Sequence, residues 1–270
     1  MSYAAIMVYV DIDGLPEQRV RIASELSARF DAALIGFSGR ATPPSFVSEG
    51  VVIEEATEAD IARLKAALAA KGAWFRGISG RPDAEWRWQL DFPTEALASE
   101  ARAADLLVIG KVKTSHVPYG LLAPGKLVLN AGRPVLYVPD GVATLGADHV
   151  VIGWKNTREA RRAVVDALPF LRKAARVSIV EVHREKVHAA PADVNDLVRY
   201  LARHRIAAEA HGIRHREGSD ADDLIQFALR QKADLLVMGA YGHSRLGEWI
   251  FGGMTRDVLE ATPICCLLSH

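Results

Sequence analysis

Cysteine is scarce in this chain, and the little that is present does not form a recognisable site. The 270 residues include two cysteines, Cys265 and Cys266, which are adjacent. Neighbouring residues on a strand point to opposite faces of a sheet, so a disulfide between the two is not expected. Their spacing is not that of a metal site, and we expect them to pack as small hydrophobic residues in a reducing compartment.

The chain also lacks an excess of charge and a long hydrophobic run. Lysine plus arginine number 33, as do aspartate plus glutamate, so no overall field attracts nucleic acid or an anionic membrane. No apolar run approaches the roughly 20 residues of a membrane-spanning helix. The first residues contain no basic leader and no clear cleavage site. We therefore expect a cytoplasmic protein that binds neither nucleic acid nor membrane.

The most informative feature that is present is an internal repeat. Residues 103–110 read AADLLVIG, and residues 232–239 read KADLLVMG. At the same offset, RPVLYVP from residue 133 recurs as TPICCLL from residue 262. Two matches at one offset predict two copies of one domain, the first carrying extra residues in its middle. A polar stretch with proline and glycine lies between the copies, and we place the domains at residues 1–142 and 147–270.

Each copy alternates β-rich runs with segments of helical periodicity. The predicted strands of the second copy are HVVIGW, VSIVEV, IAAEAHGI, DLLVMG and PICCLL. Strands separated by helices predict an α/β fold, here two tandem, doubly wound parallel sheets of five strands each. Such sheets bind ligands at the carboxyl ends of their strands, where the strand order reverses. The last strands of the two copies are expected to pair edge to edge as an intrachain pseudo-dimer.

A glycine-rich loop follows the buried strand DLLVMG of the second copy. It begins with Gly239 and Gly242, and after nine further residues come Gly252 and Gly253, at the start of a predicted helix. Glycines permit positive φ and close approach of N–H groups to an anion, and a helix N-terminus favours phosphate. Three side chains would add a hydroxyl donor or positive charge: Thr255, His243 and Arg245. The spacing is neither Walker A nor GxGxxG.

This loop resembles that of the universal stress protein (UspA-like) family, whose nucleotide-binding members carry G-x2-G-x9-G-[ST] after the fourth strand. The three glycines match, Gly253 replaces the final Ser/Thr, and the resemblance covers the chain as a tandem, two-domain bacterial type. It implies a fold like the adenine nucleotide α-hydrolases, ATP or a related adenine nucleotide as ligand, and a homodimer. The residues implied to line the site are Val182, Met238, Gly239, Gly242, Gly252, Gly253, Met254 and Thr255.

Two departures from the family pattern bear on function. ATP-binding members have an Asp after the first strand, where this chain has Lys155, which meets a phosphate but does not ligate Mg²⁺. A role for Mg²⁺ is therefore left open. In the first copy Lys113, Ala123 and Pro124 replace loop glycines, so we interpret its site as degenerate although Asp11 and Asp13 are retained.

Three functions remain open on the sequence. The first is a nucleotide-binding stress or signalling protein without demanding catalysis. The second is a slow ATPase in which His243 or an acidic residue positions water. The third is a protein–protein adaptor that has lost nucleotide in both copies. For two aromatic features we favour structural roles: packing for Trp154, and for EWRWQLDFP (residues 85–93) a cover over the sheet or the interface between copies.

Overall fold

The structure, a computed structural model, describes residues 2–42, 46–48, 51–54, 56–111, 121–183, 192–215, 218–242 and 253–270. The elements up to residue 142, here the first half, are β1 (Ala5–Tyr9), α1 (Glu17–Phe30), β2 (Ala33–Gly39), β3 (Phe46–Ser48), β4 (Val51–Glu54), α2 (Glu58–Ser79), β5 (Glu85–Gln89), α3 (Pro93–Glu100), β6 (Leu106–Gly110), α4 (Pro124–Asn130) and β7 (Val135–Val138). A short 3-10 turn, Ala101–Ala103, follows α3.

The second half continues with β8 (His149–Gly153), α5 (Arg158–Leu171), β9 (Arg176–His183), α6 (Ala192–Arg203), β10 (Glu209–Arg214), α7 (Asp220–Arg230), β11 (Leu235–Gly239), α8 (Gly253–Ala261) and β12 (Cys265–Ser269). Local sequence explains several of these boundaries. The Ser219 hydroxyl accepts the N–H of Asp222 at the start of α7. Gly80, at φ 64°, ends α2 in the left-handed conformation that glycine adopts cheaply.

Ten strands form one sheet in the order β10-β9-β8-β11-β12-β7-β6-β1-β2-β5. All neighbours are parallel except β7 and β12, which run antiparallel. In each half the first strand is central, with the second and third sheet strands on one side and the fourth and fifth on the other. The prediction of an α/β fold with doubly wound parallel sheets is confirmed. The hairpin β3–β4 lies outside the large sheet, in the middle of the first half where the sequence has its extra residues.

The two halves meet through the predicted pairing of their last strands and through an aromatic cluster. Leu267 of β12 lies opposite Leu136 of β7. On one face of the sheet the rings of Tyr3, Phe30 and Phe170 pack edge to face, with centroids 5.1 to 5.6 Å apart. The Tyr3 hydroxyl donates to the backbone carbonyl of Asp166 over 2.5 Å. The core of the first half is therefore continuous with that of the second.

One interpretation from the sequence is wrong. EWRWQ is neither a cover over the sheet nor the interface between copies, because it forms β5, the edge strand farthest from the joint between halves. Trp86 packs against Phe75 of α2 at 5.5 Å between ring centroids, and its indole N–H donates to the carbonyl of Leu68. The aromatic alternation is that of an edge strand packed on one helix.

The two cysteines are free and buried in β12, as expected for small core residues. Burial raises the pKa of the Cys265 thiol to about 12 and also raises that of Cys266. None of the described helices has the length and hydrophobicity that crossing a bilayer would require.

Candidate functional site

The second half has its topological switch point between β8 and β11. These strands are parallel neighbours, with Met238 opposite Gly153 at their carboxyl ends. From β8 the sheet continues outward through β9 and β10, and from β11 it continues through β12. Helices α5 and α8 follow β8 and β11, so both begin at this edge of the sheet. A crevice that opens between two helix N-termini is where a doubly wound sheet binds an anionic ligand.

Gly239 ends β11 directly against the start of α5. A Cβ at this position would lie 2.4 Å from the backbone nitrogen of Ala160 and 2.5 Å from the carbonyl carbon of Glu159. Those are backbone atoms, so any side chain at residue 239 would force the helix away from the strand. Glycine is needed here because the backbone of α5 approaches closely. The sequence led us to expect a positive φ, but neither Gly239 nor Gly242 adopts one.

Tyr241, between the two glycines, has the positive φ, at 59°. Its backbone N–H donates to the Thr255 hydroxyl over 3.2 Å. Thr255 is buried, and its oxygen ties the loop to α8. Its role as a hydroxyl donor to phosphate stays a prediction. One residue earlier, the N–H of Ala240 donates to the carbonyl of Ser269 over 2.8 Å. The start of the loop is thus held by both α8 and β12.

The N-terminus of α8 is the open side of the crevice. Its first residue, Gly253, is exposed, and a Cβ there would approach nothing nearer than the Asp257 carboxylate, at 3.9 Å. The first N–H groups of a helix have no partner within it, so this position offers donors to a ligand. Met254 is half-buried against the core beneath. Gly252, His243 and Arg245 lie outside the described residues.

Glu159, in the first turn of α5, is a residue that the sequence reasoning missed. The residue is 7% exposed, and a Cβ on Gly242 would lie 2.8 Å from its Oε2. Burial alone would raise the pKa of its carboxyl, but hydrogen bonds from its own N–H and the Thr157 hydroxyl, together with Arg158, lower it below the ordinary value. An ionised carboxylate therefore lies beside the glycine loop. An acidic residue in the first turn of a predicted helix was the available signal.

Lys155 stands at the sequence position of the missing Asp, and its charge acts toward β9. It is exposed after β8, and its charge acts on Glu181 of β9, on the side of β8 away from β11. Burial raises the pKa of the Glu181 carboxyl, and Lys155 partly offsets that rise. Val182, also on β9, is half-buried opposite Ile213, so β8 separates it from the glycine loop.

Trp154 packs, as the sequence interpretation favoured. It is 7% exposed, and its indole N–H donates to an Asp193 carboxylate oxygen over 3.3 Å. It also lines a cleft of about 370 Å³ between α5 and α6, together with Val164, Leu197 and other residues of these helices. The described residues that line this cleft belong to α5, α6 and the segment after β8, and none of them belongs to the glycine loop. Trp154 therefore borders a concavity separate from the crevice between β8 and β11.

In the first half an arginine occupies the equivalent crevice. The guanidinium of Arg19 lies against Gly110, where a Cβ would be 2.8 Å from its Nε. It donates to the carbonyl of Tyr9 over 2.9 Å and to the carboxylate of Asp11 over 3.3 Å. Burial raises the pKa of Asp11, although Arg19 opposes the rise. A buried arginine side chain, unnoticed in the sequence, thus lies against the glycine that ends the fourth sheet strand of the first half.

Helix α4 of the first half also begins differently from α8. Its first residue is Pro124, which has no N–H to donate. Ala123 precedes it, and its own N–H donates to the Thr94 hydroxyl over 2.9 Å. Lys113 lies outside the described residues. The proline at residue 124 and the bonded N–H of Ala123 both reduce the number of N–H donors that the start of α4 offers to an anion.

Comparisons with known proteins agree with this architecture. A universal stress protein from Archaeoglobus fulgidus DSM 4304 superimposes with a TM-score of 0.73 at 13% identity, covering 98% of this chain and 95% of that chain. A functionally unknown protein from Pseudomonas aeruginosa PAO1 gives a TM-score of 0.57 at 12% identity, covering 98% and 92%. At such identities these likenesses concern the fold alone.

A universal stress protein in complex with cAMP is 20% identical and covers 46% of this chain and 97% of that chain, with a TM-score of 0.36. No curated protein sequence matches the chain. Residues 148–270 match the sequence model of the universal stress protein family. The second half therefore matches the universal stress protein family in sequence, and the first half repeats the same strand order.

Proposed function

We propose that the second half binds an adenine nucleotide, ATP or a relative, in the crevice between β8 and β11, in a stress-response or signalling role. The phosphates would contact Gly242 and the N-terminus of α8. The observation that carries this proposal is Gly253, exposed and uncrowded at the first residue of α8. A helix N-terminus at a topological switch point is a favourable place for phosphate.

The charged residues of the crevice favour nucleotide binding over ATP hydrolysis. Glu159 is the carboxylate nearest to where a Cβ of Gly242 would lie, and its lowered pKa makes it a weak general base. Its oxygens are also engaged by Thr157 and Arg158. Lys155 stands where an Asp would otherwise help to hold a metal ion or ribose. We therefore propose a binding protein and not an ATPase.

Isothermal titration with ATP on matched variants of Gly253 tests the proposal. Gly253→Asp places a carboxylate at the start of α8 without a clash, and it should weaken ATP binding by about tenfold or more because like charges repel. Gly253→Asn, which has the same shape without the charge, should stay within about threefold of the natural chain. Equal affinities of the two variants would contradict phosphate binding at α8. Absence of binding of ATP, AMP and adenosine by the natural chain would favour the adaptor.

The resemblance to the family also supports a homodimer, and we propose one. Analytical ultracentrifugation should give a mass of twice the 29.4 kDa of the chain. A sedimentation profile of monomer alone across the micromolar range would contradict it.

A further inference from the structure

Two helix N-termini border the crevice, and among the described residues they differ in what lies beside them. At α8 the first residue is an exposed glycine, and the nearest described atom to a Cβ there would be a carboxylate oxygen of Asp257, at 3.9 Å. At α5 the Thr157 hydroxyl accepts the N–H of Ala160, and the Glu159 carboxylate is held by the N–H groups and hydroxyl of the same turn. A carboxylate in the first turn satisfies the helix dipole much as a bound anion would.

The Glu159 carboxylate also lies close to the glycine loop itself. Its Oε2 occupies space within 2.8 Å of where a Cβ of Gly242 would lie, and the Thr157 hydroxyl is the next nearest atom, at 3.2 Å. The residue is 7% exposed, so water screens its charge less than that of a surface carboxylate. A phosphate that contacts Gly242 must therefore approach a buried negative charge.

We propose that Glu159 is the specificity-determining residue of the crevice and favours adenosine or its monophosphate over ATP. Each added phosphate near Gly242 brings further negative charge toward the fixed carboxylate. Because the Glu159 carboxylate lies beside Gly242, ligands that carry less negative charge at this point should bind more tightly. This inference rests on the proposed function, because it names the class of nucleotide that the same site accepts.

The first half has a neutral side chain at the equivalent helix position. Helices α1 and α5 both have 14 residues, and the third residue of each, Arg19 or Ala160, lies against the glycine that ends the fourth sheet strand. The second residue is Gln18 in α1, where it is exposed, and Glu159 in α5, where it is buried. Glutamine has nearly the same shape as glutamate, so Glu159→Gln should remove the charge and leave the helix in place.

The test compares affinities for adenosine, AMP and ATP in the full chain, by calorimetric titration, between the natural protein and Glu159→Gln. Glu159→Gln should tighten ATP binding by about tenfold or more and adenosine binding by less than about twofold. The control is Glu260→Gln, which makes the same charge change at an exposed position in the last turn of α8, where Glu260 pairs with Arg256. This control should leave the ratio of ATP to adenosine affinity within about twofold.

Each outcome separates the inference from the proposed function. If both proteins bind ATP and the ratio of ATP to adenosine affinity is the same, the inference is overturned and the proposed function stands. If Glu159→Gln alone binds ATP, the carboxylate excludes ATP and the natural chain is not an ATP-binding protein. If neither binds any of the three compounds, both are overturned. Should Glu159→Gln prove unstable, Glu159→Ala keeps a good helix former without the charge and must show the same change in the ratio.

Discussion

The backbone of α5 passes so close to Gly239 that a methyl group there meets main-chain atoms on two residues. We predict that Gly239→Ala destabilises the chain by about 2–3 kcal/mol, because a helix backbone cannot move aside as a side-chain tip can. Urea unfolding, followed by circular dichroism, measures the change in the free energy of unfolding.

The matched control is Gly77→Ala in α2. A Cβ at Gly77 would meet nothing within 4 Å, and alanine favours a helix over glycine by about 0.8–1 kcal/mol. The control should therefore be neutral or more stable than the natural chain. A Gly239→Ala protein as stable as the control would show that α5 does not lie against β11.

For single residues, the sequence predicted where the important glycines lie better than it predicted why glycine is needed there. The glycines were correctly placed at the end of a buried strand, but the expected cause, positive φ, belongs to Tyr241 instead. The space around Gly239 depends on a helix that follows another strand, and no local pattern contains that distance. Arg19 and Glu159 were missed for the same reason, since burial of a charged side chain is decided by its tertiary neighbours.

Among the elements, α5 provides a prediction about pH. The pKa of Glu159 is lowered in the folded chain, so its ionisation stabilises the fold above the ordinary pKa of 4.5 and this contribution is lost as the pH falls through the folded value. Glu159→Gln should be less stable than the natural chain near pH 7, and the difference should shrink as the pH falls below 4.5. Chemical denaturation across this range measures it. A difference that stays constant with pH would contradict an ionised Glu159.

The link between the glycine loop and α8 gives another prediction. Thr255→Val removes the acceptor of the Tyr241 N–H while keeping the shape of the buried side chain, and it should cost about 1–2 kcal/mol. Amide hydrogen exchange at Tyr241 should become faster in Thr255→Val and remain slow in Thr255→Ser, which keeps the hydroxyl. Equal exchange in both variants would mean that Thr255 does not hold the loop.

Element types were predictable because each periodic pattern reflects burial. DLLVMG, for example, is buried along most of its length as β11. EWRWQ was misjudged because an edge strand lacks the continuous apolar run of a central one, and its partner β2 is distant in sequence. The predicted strand from Ile206 begins at Glu209, an ordinary error at the end of an element.

On the scale of the whole molecule, the two halves share one sheet and one aromatic cluster. Phe170 of the second half is 1% exposed and packs on Tyr3 and Phe30 of the first. Phe170→Ala should destabilise the chain by about 3–5 kcal/mol and affect both halves. Near-ultraviolet circular dichroism and tryptophan fluorescence should agree with each other on a single unfolding midpoint in the natural chain, and again on a single, lower midpoint in the variant.

The control for this prediction is a large hydrophobic residue away from the joint. Val165 of α5 is 49% exposed, so Val165→Ala should change the stability by less than about 1 kcal/mol. If Phe170→Ala lowers one transition and leaves a second one unchanged, the halves unfold independently and the aromatic cluster does not couple them.

The two halves have the same strand order but differ at the carboxyl edge of the sheet. In the first, Arg19 lies against Gly110 and α4 begins with a proline, whereas in the second α8 begins with an exposed glycine. The sequence predicted this asymmetry through Ala123 and Pro124, and the structure adds the buried guanidinium. The account therefore expects one nucleotide site in a chain that contains the fold twice.

Native mass spectrometry of the full chain, titrated with adenosine, AMP and ATP, counts the nucleotide sites directly. We predict saturation at one adenine ligand per chain, with Gly253→Asp weakening the binding of the phosphorylated ligands. Saturation at two per chain would show that the first half is competent despite Arg19 and Pro124. A chain that takes up none of the three would contradict nucleotide binding altogether.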